Sequence, residues 1–137
     1  MKKVVFTFGR MNPITKGHKE YFKNNMKEIT WDEFIQVELR VGTVVEVSEF
    51  PEARKPAWKL QIDFGEEIGL RKSSAQLSDL YDSDDLLGRQ VVAVVNFPKK
   101  QIGPIMSECL VTGFYQDDGA VVLIMPERPV KNGAKLG

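Results

Sequence analysis

Strict alternation of apolar and polar side chains constrains this chain more than any other feature of its sequence. In the stretch WKLQIDF, from Trp58 to Phe64, every second residue is apolar, which is the period of a strand with one buried face. The stretch from Leu39 to Ser48 has the same period. There, Leu39, Val41, Thr43, Val45 and Val47 alternate with Arg40, Gly42, Glu46 and Ser48. Both stretches therefore predict half-buried β-strands.

The remaining segments extend this pattern to a mainly β fold. IGLRKSS predicts a third strand, joined to WKLQIDF through the turn Gly65–Glu67. AQLSDLY is expected to form a short helix, and QVVAVVNF a continuously apolar fourth strand, buried on both faces or lying at a subunit interface. SECLVTGFY and AVVLIMPE flank Asp117–Gly119, which predicts a hairpin. Five or six short strands with one helix between the third and fourth indicate a five-stranded OB-type barrel.

Helical segments are expected ahead of this barrel. TKGHKEYFKNNMKEI can form a helix with its apolar residues near one face. Thr30 and Glu33 have the spacing of a capping box, so TWDEFIQVE predicts a second, short helix. Charge changes at the same place, because residues 1–29 carry seven Lys and Arg against two Asp and Glu, whereas the rest carries twelve against seventeen. We therefore expect a strand–helix extension over residues 1–29 and a barrel domain over residues 30–137.

The extension contains a motif that points to catalysis. GRMNPITKGH follows the apolar run VVFTF, and residues 1–23 resemble the opening strand and T/HxGH motif of the nucleotidylyltransferases. The resemblance would place Thr15, Gly17 and His18 beside a phosphate at the start of a helix. Such an enzyme needs a parallel sheet built from further units of about 30 residues each, and no second unit follows. We interpret the three residues as a vestigial nucleotide motif and expect no enzymatic activity.

Composition limits the other functions. The hydrophobic content of 42% suits a folded globular chain, and no apolar run approaches the roughly 20 residues of a membrane helix, so no membrane insertion is expected. Cys109 is the single cysteine, which fits a reducing cytoplasm. With one cysteine and one histidine, we expect neither a metal nor a cofactor. The acidic barrel region argues against strong nonspecific binding of nucleic acid, which depends on neutralising phosphates.

From Thr30 onward the chain resembles the tRNA-binding domain family, and most closely its secretion-chaperone branch. The resemblance is carried by ELRVGTVVEVSEFPEARKPAWKLQIDFG, IGLRKSSAQLSDLY, QVVAVVNFPKKQIGPIMSECLVTG and PERPVKNGAKLG. It implies a homodimeric OB fold without enzymatic chemistry, which binds either structured RNA, chiefly tRNA, or unfolded and export-bound polypeptides. RNA-binding members typically carry a Ser-x-Gly-Met-type turn where this chain has Ser107-Glu108-Cys109-Leu110. The carboxylate of Glu108 would repel a phosphate there.

Candidate binding residues lie on the expected outer face of the barrel and in its rim loops. On an OB fold this surface binds ligands through cations and stacking aromatic side chains, and NFPKKQI aligns with a loop of the family. Ser73 and Ser74 could cap the AQLSDLY helix, which would leave one hydroxyl for a ligand. Phe97 and Ile102 could line an apolar pocket for a peptide side chain. The candidate set is Lys59, Arg71, Lys72, Ser73, Ser74, Asn96, Phe97, Lys99, Lys100, Gln101, Ile102, Ser107 and Glu108.

Two functions remain open from the sequence. One is a cytoplasmic, homodimeric chaperone that binds unfolded or export-bound polypeptides. The other is a module that binds tRNA or structured RNA through cations of the candidate set, aided by the basic extension. Ordinary solubilising lysines would also explain the charge pattern. Because VVAVVNF and AVVLIM are apolar on both strand faces, we expect a two-fold dimer across their outward residues, with the tail PVKNGAKLG alongside.

Overall fold

The computed structural model describes residues 26–137 of the chain. The motif residues Thr15, Gly17 and His18 lie outside this range. In the described part of the chain, no helix has the length and hydrophobicity needed to cross a membrane. The elements in this range are α1 Trp31–Ile35, β1 Leu39–Glu49, β2 Trp58–Asp63, β3 Leu70–Ala75, α2 Ser83–Leu86, β4 Gln90–Val94, β5 Lys100–Ile102, β6 Ile105–Ser107, β7 Leu110–Val111, β8 Gly113–Tyr115 and β9 Val121–Leu123.

The main sheet has five antiparallel strands in the order β3-β2-β1-β4-β7. The first strand is long enough to pair with two neighbours, because residues 39–43 pair with β4 and residues 43–49 pair with β2. The free edge of β3 then meets the segment after β6, where the Glu108 amide donates to the Lys72 carbonyl over 2.8 Å. The sheet therefore nearly closes on itself, which confirms the OB-type barrel.

The alternation in β2 is confirmed, but the predicted face of β1 is wrong. Leu60, Ile62 and Phe64 are each at most 2% exposed and belong to the central core. In β1, Val44 is buried while Val45 is 44% exposed. Gly42 and Val44 face the core in the first half of β1. A shift of register against β2 between Val44 and Glu46, typical of a β-bulge, then brings Val47 against the core in the second half.

Gly42 faces the core at a point where no side chain would fit. A Cβ atom there would lie 2.6 Å from Cγ2 of Ile62 and 2.7 Å from Cδ1 of Phe64. Glycine therefore lets the two large side chains of β2 pack directly against the backbone of β1.

Both short helices begin with a capping box, although one lies away from its predicted position. The Thr30 hydroxyl accepts from the Glu33 amide, as the sequence indicated. AQLSDLY is not a helix; Ser83–Leu86 forms instead, because the Asp82 carboxylate accepts from the Asp85 amide and caps it. The capping role expected for Ser73 and Ser74 is wrong as well, because both lie within β3.

The fourth strand is buried on both faces within a single chain. Val91, Val92, Ala93, Val94 and Val95 are each at most 9% exposed. On the outer side, a small cluster covers Val94; its members are Leu110, Leu39, Phe97 and Ile102. The expectation that a second chain must cover the outward residues of β4 is therefore wrong.

The hairpin predicted at Asp117–Gly119 is confirmed. Strands β8 and β9 pair across it, and Gly119 takes a φ of +90°. The C-terminal tail, residues 130–136, lies against its own chain. The amide of Val41 donates to the carbonyl of Ala134, and the amide of Leu136 donates to the carbonyl of Leu39. The tail thus extends the sheet beside the first half of β1.

Candidate ligand-binding groove

A groove of about 370 Å³ runs between the outer face of strands β1 to β3 and the turn that joins β5 to β6. We refer to it below as the groove. It is lined by Glu46, Ser48, Lys59, Leu60, Gln61, Lys72, Pro104 and Ile105.

Strand register places the polar lining residues of the groove. Glu46 of β1 is opposite Gln61 of β2, which is opposite Lys72 of β3. Directly opposite residues in antiparallel strands share a face, so these three side chains form a row across the sheet. Ser48 and Lys59 form the next row. Ser74 follows Lys59 in that row but is only 5% exposed, so the neighbouring structure covers it.

The other wall of the groove rests on Phe50. This ring is 3% exposed and packs with Ala57 and Ile105. Gly103 approaches the same ring, since a Cβ atom on it would lie 3.4 Å from Cζ of Phe50. The ammonium of Lys59 lies 5.7 Å from the ring centroid on the groove side, a contact of about 0.5–1 kcal/mol at exposed sites. Phe50 therefore positions both the turn and one cation of the groove.

Glu108 lies at the seam beside the groove, where β3 meets the segment after β6. Its Oε1 accepts from the backbone amide of Lys72 over 3.0 Å, and its Oε2 lies 3.4 Å from Nζ of Lys99. Partial burial disfavours the charged form, but the Lys72 amide and the Lys99 ammonium outweigh it and lower the pKa of Glu108. The carboxylate is therefore held ionised and fully engaged with its own chain.

Arg71 and Asn96 hold the backbone together in this structure. Nη1 of Arg71 donates to the carbonyls of Val95 and Glu108, over 3.2 and 3.4 Å. The side chain of Asn96 donates to the Gln36 carbonyl over 2.7 Å and accepts from the amide of residue 38 over 3.0 Å. These contacts tie the barrel wall together and fix the segment that follows α1.

Two candidate hydroxyls are buried rather than exposed to a ligand. Ser73 is 0% exposed, and its Oγ donates to the Cys109 carbonyl over 3.1 Å. Ser107 is also 0% exposed, and its Oγ has no hydrogen-bond partner among the described residues. Burial raises the pKa of the neighbouring Cys109 thiol to about 12. This side of the seam is core, so neither serine reaches the surface.

The structure therefore brings together only part of the predicted set. Lys59 and Lys72 line the groove, while Arg71, Lys99 and Glu108 form the seam next to it. Phe97 and Ile102 pack around Val94, and the Gln101 amide donates to the Gly103 carbonyl within its own hairpin. Within residues 26–137, no group of three or more His, Cys, Asp or Glu could hold a metal ion.

Sequence reasoning missed six lining residues: Glu46, Ser48, Leu60, Gln61, Pro104 and Ile105. The signal for Gln61 was present, because it shares the outward face of WKLQIDF with Lys59. Glu46 and Ser48 were likewise grouped on the polar side of their strand. Pro104 of the turn and Ile105, the first residue of β6, carried no such signal, because only the packing on Phe50 brings them against the sheet.

The chain is thus an OB-type barrel with a groove of charged, polar and apolar residues on its outer face. Residues 39–135 match the family model described as "Putative tRNA binding domain", and the chain belongs to this family.

Two solved structures of chaperone CsaA are similar to this chain. The protein from Bacillus anthracis str. Ames has 45% sequence identity and a TM-score of 0.76, with 81% of this chain and all of that chain covered. The protein from Picrophilus torridus has 45% identity and a TM-score of 0.75, with coverage of 80% and 100%.

Methionine--tRNA ligases are also similar to this chain. That of Thermococcus onnurineus (strain NA1) is 33% identical over 93% of this chain, and that of Pyrococcus furiosus is 36% identical over 88%. The matched region spans only 17% and 16% of the two ligases. The chain thus corresponds to one part of these much longer enzymes.

Proposed function

We propose that this chain is a non-catalytic, homodimeric chaperone of the cytoplasm, which binds unfolded or export-bound polypeptides in the groove. No cofactor takes part. Extended segments of a client would lie along the outer face of β1 to β3, held by polar side chains on one wall and by the turn after β5 on the other.

The mixed chemistry of the groove is the observation that carries this proposal. Lys59 and Lys72 supply two cations, Glu46 supplies an anion, and Pro104 and Ile105 supply apolar surface. An unfolded polypeptide presents all three kinds of group. A nucleic acid is bound best by a row of cations with aromatic stacking platforms. None of the described residues that line the groove is aromatic.

The comparisons support the same assignment. Identity to the two CsaA chaperones is 45% and covers all of each of them. Identity to the ligases is 33% and 36% and covers less than a fifth of each.

Aggregation of a denatured client tests this proposal. The purified full chain is expected to delay light scattering by a chemically unfolded enzyme as it is diluted into buffer. Ser48→Trp places a large side chain in the groove and should abolish the delay. Leu87→Trp adds similar bulk at an exposed position after α2 that does not line the groove, and should leave it intact. No delay at stoichiometric excess of the wild-type chain would refute the proposal.

Binding of tRNA is the second candidate, favoured by the family and by the lysine pair in the groove. It predicts an affinity for bulk tRNA that falls steeply between low and moderate salt. Lys59→Gln and Lys72→Gln should then weaken binding, and removal of residues 1–29 would measure the contribution of the basic extension. That extension, which we propose to be separate from the barrel domain, has no catalytic role in either case.

We propose that the dimer forms through α1 and its surroundings. None of the residues of α1 is buried in the single chain, and the rings of Trp31 and Phe34 lie 5.4 Å apart. A five-residue helix gains little stability by itself, and its Trp31 and Ile35 side chains are exposed, so contact with a second chain would stabilise it. Val37 and Leu136 are also exposed. The amide of Leu136 bonds to Leu39, which places the tail beside this surface.

A further inference from the structure

The Glu108 carboxylate occupies the kind of position that a bound anion would take. Each of its oxygens has a different partner, the Lys72 amide for Oε1 and the Lys99 ammonium for Oε2. Its side chain is 17% exposed, while that of Lys99 is 64% exposed. This pair therefore differs from a typical surface ion pair, because the backbone amide of Lys72, at the edge of β3, also donates to the carboxylate.

The edge of β3 explains why this backbone donor is available. If another strand paired with this edge of β3, the backbone of that strand would hydrogen-bond both the amide and the carbonyl of Lys72. Here the Lys72 carbonyl accepts from the Glu108 amide over 2.8 Å, whereas the Lys72 amide donates to the Glu108 side chain. A carboxylate thus replaces a strand carbonyl at the seam of the barrel. The Lys72 amide would be free to meet another anion if this side chain were absent.

Positive charge is concentrated around this one carboxylate. The ammonium groups of Lys99 and Lys72 both favour the ionised form of Glu108, whereas the guanidinium of Arg71 contacts the backbone carbonyl of that residue. Two cations therefore act on a single anion. Charge-assisted hydrogen bonds from such groups are the contacts that proteins use for phosphate.

We propose that the Lys72 amide and the Lys99 ammonium form an anion site that Glu108 fills from within, and that this occupancy keeps RNA phosphates out. Glu108 is then the residue that determines specificity between polypeptide and RNA. The inference rests on the proposed function, since it explains how a member of a tRNA-binding family favours polypeptides. Glu108 would therefore exclude phosphate by occupying the site, and not by acting as a free carboxylate that repels it.

Binding of bulk tRNA to Glu108→Ala and wild-type full chains tests the inference. The variant is expected to bind about tenfold more tightly at low salt. The slope of log K against log salt should be steeper by about 0.7–0.9 for each additional phosphate that the variant neutralises. Glu127→Ala makes the same change of net charge at an exposed glutamate paired with Arg128, and should behave like the wild type. In the double variant Lys99→Ala/Glu108→Ala the tighter binding and the steeper slope should both disappear.

Several outcomes would overturn the inference. Equal tRNA affinity for Glu108→Ala and Glu127→Ala would show that only net charge matters. An unchanged slope would show that the variant binds no additional phosphate. If Glu108→Ala is unfolded by circular dichroism, Glu108→Ser, whose short side chain also leaves the site open, must show the steeper slope. Failure of the wild-type chain to protect a client would reject the proposed function, but the tRNA affinities of the variants could still be compared.

Discussion

The guanidinium of Arg40 donates a hydrogen bond to the carbonyl of Gly133 over 2.9 Å and so fastens the C-terminal tail to the first strand. The same side chain lies 3.0 Å from Glu38 and 3.1 Å from Glu67. Gly133 has a φ of +92°, and a Cβ atom there would lie 2.6 Å from the Phe64 carbonyl. The tail is therefore held by close backbone approach as well as by charge.

Replacing Arg40 by methionine should destabilise the protein through this contact. The part-buried Gly133 carbonyl would lose its charged donor, a contact that contributes about 1 kcal/mol, and the Glu38 carboxylate would keep Lys135 as its remaining ion-pair partner. We expect a lower urea midpoint and faster hydrogen exchange at the tail amides of residues 133–136. Glu67→Gln, which alters a partner that is 77% exposed, is the control and should change the midpoint little. An equal loss in both variants would contradict the account.

The contribution of Glu108 to stability should depend on pH. Its pKa in the folded chain is lowered below the ordinary value of about 4.5. The ionised side chain therefore stabilises the fold above that pH, and the stabilisation is lost as the pH falls through the folded pKa. Urea unfolding of the wild type and Glu108→Gln should differ by about 1–2 kcal/mol at pH 7, and the difference should vanish as the pH falls through the lowered pKa of Glu108. A difference that is constant with pH would contradict this.

The fold could be predicted from side-chain periodicity, because period-two patterns survive wherever a strand has one buried face. WKLQIDF is the clearest case. The pattern failed in β1, where a register shift changes the inward face, and at AQLSDLY, whose apolar residues fit a helix in spacing but lack a cap. Asp82 supplies that cap a few residues later. A backbone irregularity therefore decided the error in β1, and a local side-chain cap decided the error at AQLSDLY.

The candidate site was less predictable, since the sequence does not show which groups of the same chain its cations contact after folding. Arg71 and Lys99 have the chemistry of phosphate ligands, but the fold directs them to backbone carbonyls and to Glu108. Ser73 sits next to two basic residues in the sequence, yet the strand turns it into the core. Pro104 reaches the groove only through the turn that packs on Phe50.

Cys109 should be inert in the folded protein. Burial raises the pKa of its thiol to about 12, and the side chain is 0% exposed, so almost no thiolate is present or accessible at pH 8. A colorimetric disulfide reagent is expected to react fully in urea and negligibly in buffer over the same period. Rapid stoichiometric labelling of the native chain would show that the seam between β3 and β7 opens readily.

The mass in solution tests the proposed dimer surface. Multi-angle light scattering at micromolar concentration should give twice 15.5 kDa for the full chain, because a two-fold contact of about 800 Å² per partner suffices for stability. Trp31→Ser should yield monomers, since Trp31 is 64% exposed on α1. Phe114→Ser changes a ring that is 66% exposed on β8 and should remain dimeric. A monomeric wild type would refute the dimer, and a dimeric Trp31→Ser would refute this surface.

Amide chemical shifts test the central claim, that the groove binds extended polypeptide, most directly. An unfolded peptide with mixed charged and apolar residues would be titrated into isotope-labelled protein and followed by two-dimensional NMR. We predict the largest saturable shifts at the amides of Glu46, Lys59, Gln61, Lys72 and Ile105, and their loss in Ser48→Trp. Saturable shifts confined to other surfaces, or shifts at these amides with tRNA and none with peptide, would contradict the account.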